Sequence, residues 1–331
     1  MKFTKLFSTL VLCVTLVVPA FTQEAKKSDK LDFHYTVDFA YYPLSAYIAN
    51  PEKNNSQFAP LTGPYSGLEG RATIFADYTI PTPLGSHWLV KDANLVLEGK
   101  FEISPVSVKP GVAVTFTPLP FLVFNAGAEA GTGWTLAGLQ GMALFNDTNL
   151  ANPVYDDLTP FKNWYYKLWA QGSFQFDLGA VIQSKWAHVL TVYTYQVYYE
   201  GVSGLNENAI WEWQCTKSKT NALINYQNIV LAYQIPDCVL SRVGVLTEIE
   251  GCYSDSAYKN PDYDSAFKTV SISPLMQFAF TPKHSLTVLL GFSSRRSFAE
   301  EHTVNTVEPL LTATGREWFF RRIALSYSQK L

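Results

Sequence analysis

The sequence predicts an all-β protein, a single transmembrane antiparallel barrel of about 12 strands (10–14 as the range), and three observations carry that prediction. Period-two alternation runs through segments of ten residues or more, along almost the whole chain past its first twenty residues. No apolar stretch beyond the N-terminus approaches the roughly 18 residues that mark a membrane helix. Aromatic residues make up 15% of the chain and charged residues only 16%, where soluble domains carry roughly 25% charge. Such a composition suits a surface that faces lipid.

At the N-terminus Lys2 and Lys5 precede an apolar run from Leu6 to Val18, with Val18 and Ala20 at the positions a signal peptidase prefers. Residues 1–20 therefore read as a cleaved signal peptide and 21–331 as one barrel domain, because no Pro/Ser/Gly tract or charge block divides the remainder. Leu12 precedes Cys13, where a lipoprotein signal needs a small residue. Losing Lys2 and Lys5 moves the formal charge from −3 to −5, which is no footprint of a nucleic-acid binder.

The first strand is the clearest. From Leu31 to Tyr41 the apolar residues Leu31, Phe33, Tyr35, Val37, Phe39 and Tyr41 alternate with Asp32, His34, Thr36 and Asp38. Leu68–Ile80 and Ala93–Ile103 repeat the pattern, setting Glu69, Arg71, Asp77, Glu98, Lys100 and Glu102 opposite an apolar row. Nine further segments follow: Val106–Phe116, Pro120–Ala130, Trp164–Ile182, Ala187–Tyr199, Leu223–Ile235, Val239–Gly251, Val270–Phe280, Leu286–Phe292 and Phe319–Leu331. Leu223–Ile235 is the weakest, since Asn225 and Gln227 fall on its apolar face. Most segments reach the roughly 9 to 11 residues of a tilted membrane strand, against 5 or 6 in soluble sheets. Tyr41, Tyr78, Trp164, Tyr166, Tyr199 and Tyr327 stand where interfacial girdles belong.

Counted from the C-terminus, connections alternate in length. Residues 118–120, 183–185, 236–238 and 282–284 make short turns, expected to be periplasmic, and proline ends several of them. Residues 43–67, 131–163, 200–222, 253–266 and 298–315 make long loops, expected to be extracellular. Two connections depart from the rule: a tight outer turn at Ser104-Pro105 and a long inner one at 81–91. Residues 209–215, with Trp211 and Trp213 on one side, read as a hairpin within a loop.

The chain ends inside a strand, with Ile323, Leu325, Tyr327 and Leu331 on one face. This resembles the C-terminal signal by which bacterial outer-membrane β-barrel proteins are recognised for assembly, although Leu331 replaces the usual closing aromatic residue and Gln329 interrupts the face. The resemblance is architectural and spans nearly all of residues 21–331. It implies a porin-like or transporter-like protein in the cell outer membrane of a diderm bacterium, in contact with outer-membrane lipid and, through the C-terminal strand, with the barrel-assembly machinery. It fixes neither the solute nor the oligomeric state.

With the apolar rows toward lipid, the lumen receives Asp32, His34, Asp38, Glu69, Arg71, Asp77, Glu98, Lys100, Glu102, Lys109, Glu129, Lys167, Asp177, His188, Arg242, Glu248, Glu250 and Arg322. Interior charges of this number call for water or for cross-strand ion pairs. The reading drawn is a channel for small hydrophilic solutes with a mild cation preference. The alternatives are a closed barrel filled by paired charges and presenting an adhesive surface, or, from the inward Phe75, Phe121, Val123, Trp169, Leu190 and Leu246, a transporter of a hydrophobic solute. The third outer loop, with Asp147, Asp156 and Asp157, either folds inward as a constriction or packs across the mouth. Cys215 and Cys252 fall at the outer end and are the candidate disulfide, two free thiols being the other outcome. No phosphate loop, nucleophile elbow or metal spacing appears, so neither catalysis nor a cofactor or metal is expected.

Overall fold

The computed structural model describes residues 31–331 apart from 54, 147–153, 183, 215 and 303–306, so the expected signal peptide, Asp147 and Cys215 lie outside the described residues. Twelve long strands follow one another: β1 (Leu31–Ser45), β2 (Leu61–Pro81), β3 (Asn94–Ser104), β4 (Ser107–Leu119), β5 (Leu122–Gly133), β6 (Tyr165–Asp177), β7 (Val189–Val202), β8 (Ala222–Gln234), β9 (Leu240–Cys252), β10 (Thr269–Thr281), β11 (His284–Phe298) and β12 (Ala313–Lys330). Each pairs antiparallel with its neighbours in sequence, and β12 pairs with β1, setting Val37 against Tyr327 and Asp38 against Ser326. The sheet closes, so these strands leave no free edge.

All twelve strands fall on the segments marked by alternation, and both irregular connections are present: a tight outer turn between Ser104 and Ser107, and a long inner one between Pro81 and Asn94. The strands differ from expectation in height. β1 and β11 run on to Ser45 and Phe298, and β2 and β12 begin at Leu61 and Ala313. Backbone pairing continues there without an apolar row, because strand above the lipid needs hydrogen bonds but no greasy face.

Outward residues such as Phe33, Ile74, Phe101, Val112, Leu168 and Leu231 are exposed, while inward Thr36, Thr73, Glu102, Thr194 and Asn228 are buried. Polarity is thus inverted relative to a soluble sandwich. The two polar residues that break the outer row of β8 find local partners: Asn225 Nδ2 donates to the Gly251 carbonyl at 2.9 Å, its Oδ1 being left buried without one, and Gln227 Oε1 accepts from the Tyr193 hydroxyl at 3.1 Å. Gln329 is handled similarly, accepting from the Tyr35 hydroxyl at 2.5 Å.

A bulge breaks the register between β11 and β12: Gly291 faces Arg322 and Phe292 faces Phe320, leaving Arg321 as the extra residue. Above the barrel, a separate four-stranded sheet joins the third and fourth outer loops in the order 216–219, 211–213, 142–146, 154–157. Trp211 and Trp213 of the expected hairpin pair with Leu144 and Met142 there.

The lumen as candidate functional site

Inward side chains of β1 to β6 form a ladder of charge. Asp38 accepts from Ser326 Oγ at 2.6 Å and from Arg71 Nε at 3.2 Å. Arg71 Nη1 lies 3.5 Å from Glu102, whose other oxygen is 3.4 Å from Lys109 Nζ. Lys109 also reaches Glu129 at 3.1 Å, and Lys100 meets Glu129 at 2.7 Å. Glu69, at the same face, accepts from the Tyr42 hydroxyl at 2.9 Å. Cross-strand neighbours make this arrangement, since Asp38 is opposite Arg71 and Glu102 is opposite Lys109 in register. Gly127 clears the space for one large side chain: a Cβ there would lie 2.3 Å from the Trp169 ring, over which Lys100 Nζ sits at 5.0 Å.

The inner mouth is more acidic. Asp32 is exposed at its rim. His34 stacks on Phe75 with ring centroids 4.4 Å apart and faces Asp77 at 3.4 Å. Glu98 stands opposite Asp77 in register. Across the mouth, Asp177 Oδ2 is 2.7 Å from His188 Nδ1, and Asp177 Oδ1 caps the turn at 178–180 by accepting from Gly179 N–H. Arg242 is the cation on this side, three strands along the wall from Asp177.

From β7 to β11 the lining carries an apolar tier among inward polar residues such as Thr194, Asn228 and Ser273. Leu190, Val230, Ala232, Leu246 and Leu275 cluster, 1–4% exposed, with Val192 and Leu289 against them. Exposure that low means that these side chains pack closely against one another and narrow the lumen at that tier. Above it opens a cavity of about 1210 Å³, counted to its open side, lined by Glu248, Glu250, Arg295, Arg321 and Arg322 among others. The bulge turns both Arg321 and Arg322 into this cavity. Glu248 accepts from the Tyr226 hydroxyl at 2.9 Å and Glu250 from that of Tyr198. Arg295 pairs with Glu317 at 2.5 Å, donates to the Ala46 carbonyl and stacks on Tyr47 at 3.5 Å, tying the first outer loop to β11. Tyr47 in turn donates to Glu308, and burial and that carboxylate hold its phenol well above the usual value. It is a neutral donor.

The loop sheet roofs part of the outer mouth. Met142, Tyr165, Val202, Trp211 and Trp213 pack into one buried cluster, Tyr165 stacks on Trp213 at 4.6 Å, and Gln214 Nε2 donates to Ser107 Oγ at 2.6 Å. The third loop therefore contributes 142–146 to the roof. Asp156 and Asp157, the expected constriction acids, are exposed, and they bond to Asn146 and to Thr135 and Gln140 of the same loop. Cys252 is a free thiol facing the outer cavity, and its expected partner Cys215 lies outside the described residues.

Of the expected lumen residues, Asp38, Arg71, Lys100, Glu102, Lys109 and Glu129 come together, and His34, Asp77, Glu98, Asp177 and Arg242 fall near the inner mouth. Lys167 lies over the Tyr198 ring. Arg321, Arg295, Glu317, Lys219 and Glu200 were missed. A bulge shifts the phase at Arg321, the next two sit in strand that rises above lipid, and the last two lie in or beside a loop that bends inward.

A closed antiparallel barrel of twelve strands, apolar outside and charged inside, is a transmembrane β-barrel of the outer-membrane type. Its location is the outer membrane. No family model and no curated protein matches the chain. Among solved structures it is similar to an outer membrane channel from Pseudomonas putida F1 (10% identity over 93% of this chain and 100% of that one, TM-score 0.44). It is also similar to the β domain of the Bordetella autotransporter BrkA (10%, 91% and 99%, 0.41) and to the NanC porin (8%, 90% and 100%, 0.38). Likeness at this level bears on neither solute nor mechanism; the class rests on the barrel's own geometry.

Proposed function

We propose that the protein is a passive, porin-like channel for small hydrophilic solutes, narrowed at mid-height and partly roofed outside. The observation that supports this reading most is the continuity of the polar wall. It runs from Asp77 and Glu98 at the inner mouth, past Asp38, Arg71 and Glu102, to Glu129 beneath the roof and on to the outer cavity. Charges held in such a row are costly in a dry interior and inexpensive beside water, so the wall suits a wet path. The leucine tier on the opposite wall limits its width. A mild cation preference follows from the inner mouth, where Asp32, Asp77, Glu98 and Asp177 face Arg242 and two histidines.

Swelling of proteoliposomes in isotonic sugars tests the reading. Rates above those of protein-free vesicles, falling steeply from pentose to disaccharide, are expected; swelling no faster than in the empty vesicles, with the barrel inserted, would overturn it.

A further inference from the structure

A second cavity of about 490 Å³, counted to its open side, lies beneath the roof, between Trp213 and Gln214 and the charged wall. Its lining carries four cations, Arg71, Lys109, Lys167 and Lys219, against the carboxylates Glu129 and Glu200. Both carboxylates are already engaged: Glu129 by Lys100 and Lys109 at 2.7 and 3.1 Å, and Glu200 by Lys219.

Two of the cations keep unused capacity. The Arg71 side chain is only 9% exposed; Nε is bonded to Asp38 and Nη1 faces Glu102, but Nη2 is buried with no hydrogen-bond partner. Lys167 has no carboxylate within ion-pair distance among the described residues, and its ammonium rests on the Tyr198 ring at 3.8 Å. A guanidinium edge withdrawn from bulk water and a half-buried ammonium, both lining one small space, are the donor set an oxyanion satisfies. The planar fork of Arg71 offers directed N–H groups, and Lys167 a mobile point charge.

We infer that this cavity binds a small oxyanion of the phosphate type, free or as the head of a passing solute. Entry runs through the outer cavity, which shares Glu200, Thr216 and Lys219 with the inner one, so the Lys219–Glu200 pair stands at the threshold. Above the acidic inner mouth, a polyvalent anion is held there more readily than it is passed.

The test is calorimetric titration of refolded residues 21–331 in detergent at low salt, first with inorganic phosphate and then with a sugar monophosphate. Saturable phosphate binding is expected, weakened at least tenfold by Lys167→Gln and by Arg71→Gln and unchanged by Lys185→Gln, whose lysine is exposed at an inner turn. Lys167→Gln removes no ion pair, so it reports on the site even if Arg71→Gln fails to give the heat-shifted gel mobility of a folded barrel. Sugar monophosphate binding with the same dependence on Lys167 identifies a solute head group; binding of inorganic phosphate alone identifies the free ion. No phosphate binding, or equal affinity in the Lys167 and Lys185 variants, overturns the inference. The readout needs no current, so a barrel that conducts nothing can pass this test and a conducting one can fail it.

Discussion

From β1 to β6 the lumen wall is a run of paired charges, whereas from β7 to β11 the mid-height wall is Leu190, Val230, Ala232, Leu246 and Leu275. Both are buried, and they are held by different physics. Asp38, Glu102 and Glu129 of the first wall each have two cationic or hydroxyl partners, because the Coulombic return offsets desolvation only when the remaining lone pairs are met. The second wall needs no partners, only filled volume. In the proposed channel, charge sets where the wet path runs and leucine how wide it is.

The largest effect should come from opening the apolar wall. Replacing Leu246 and Leu275 together by alanine is expected to raise single-channel conductance severalfold; an unchanged conductance would mean that the width is set elsewhere. Breaking the charged wall should show in stability instead. Glu129→Gln leaves Lys100 and Lys109 without their shared partner, and a loss of about 3 kcal/mol is expected in a urea titration followed by gel mobility. A loss near zero would show that water already screens this ladder. Within that wall, Glu98 and Glu102 should separate. Glu98→Gln lowers the cation preference read from the reversal potential, while Glu102→Gln disturbs a carboxylate set between Arg71 and Lys109 and costs stability as well. Equal shifts without any stability difference would erase the distinction between mouth and ladder. The smallest effect belongs to the inner turn: Lys185 and Asp237 pair in the open, with side chains 64% and 77% exposed, and Lys185→Ala should change unfolding by no more than about 0.5 kcal/mol.

Most of the barrel was legible in the sequence because lipid and lumen impose opposite demands on alternate residues. Leu31 to Tyr41 shows this within eleven letters, and the phase it sets turns Asp38 to the same face as Arg71, its cross-strand neighbour. Legibility failed where one of the two demands lapses. Ser45, Leu61, Phe298 and Ala313 belong to strands that stand above lipid, so no apolar row marks them. Arg321 is invisible because a bulge shifts the phase by one residue. The roof escaped for another reason: Trp211 and Trp213 were readable as a local hairpin, but its pairing with Met142 and Leu144 joins two loops some seventy residues apart, which no local pattern encodes.

In the proposed channel the charged wall lines an open, water-filled path. Single-channel recording of refolded residues 21–331 in a planar bilayer, across a salt gradient, tests it most directly. Small stepwise ohmic currents with a reversal potential on the cation side are the predicted result. A strand-rich, heat-modifiable barrel that inserts and conducts nothing would contradict the claim and leave the ladder as packing in a closed barrel.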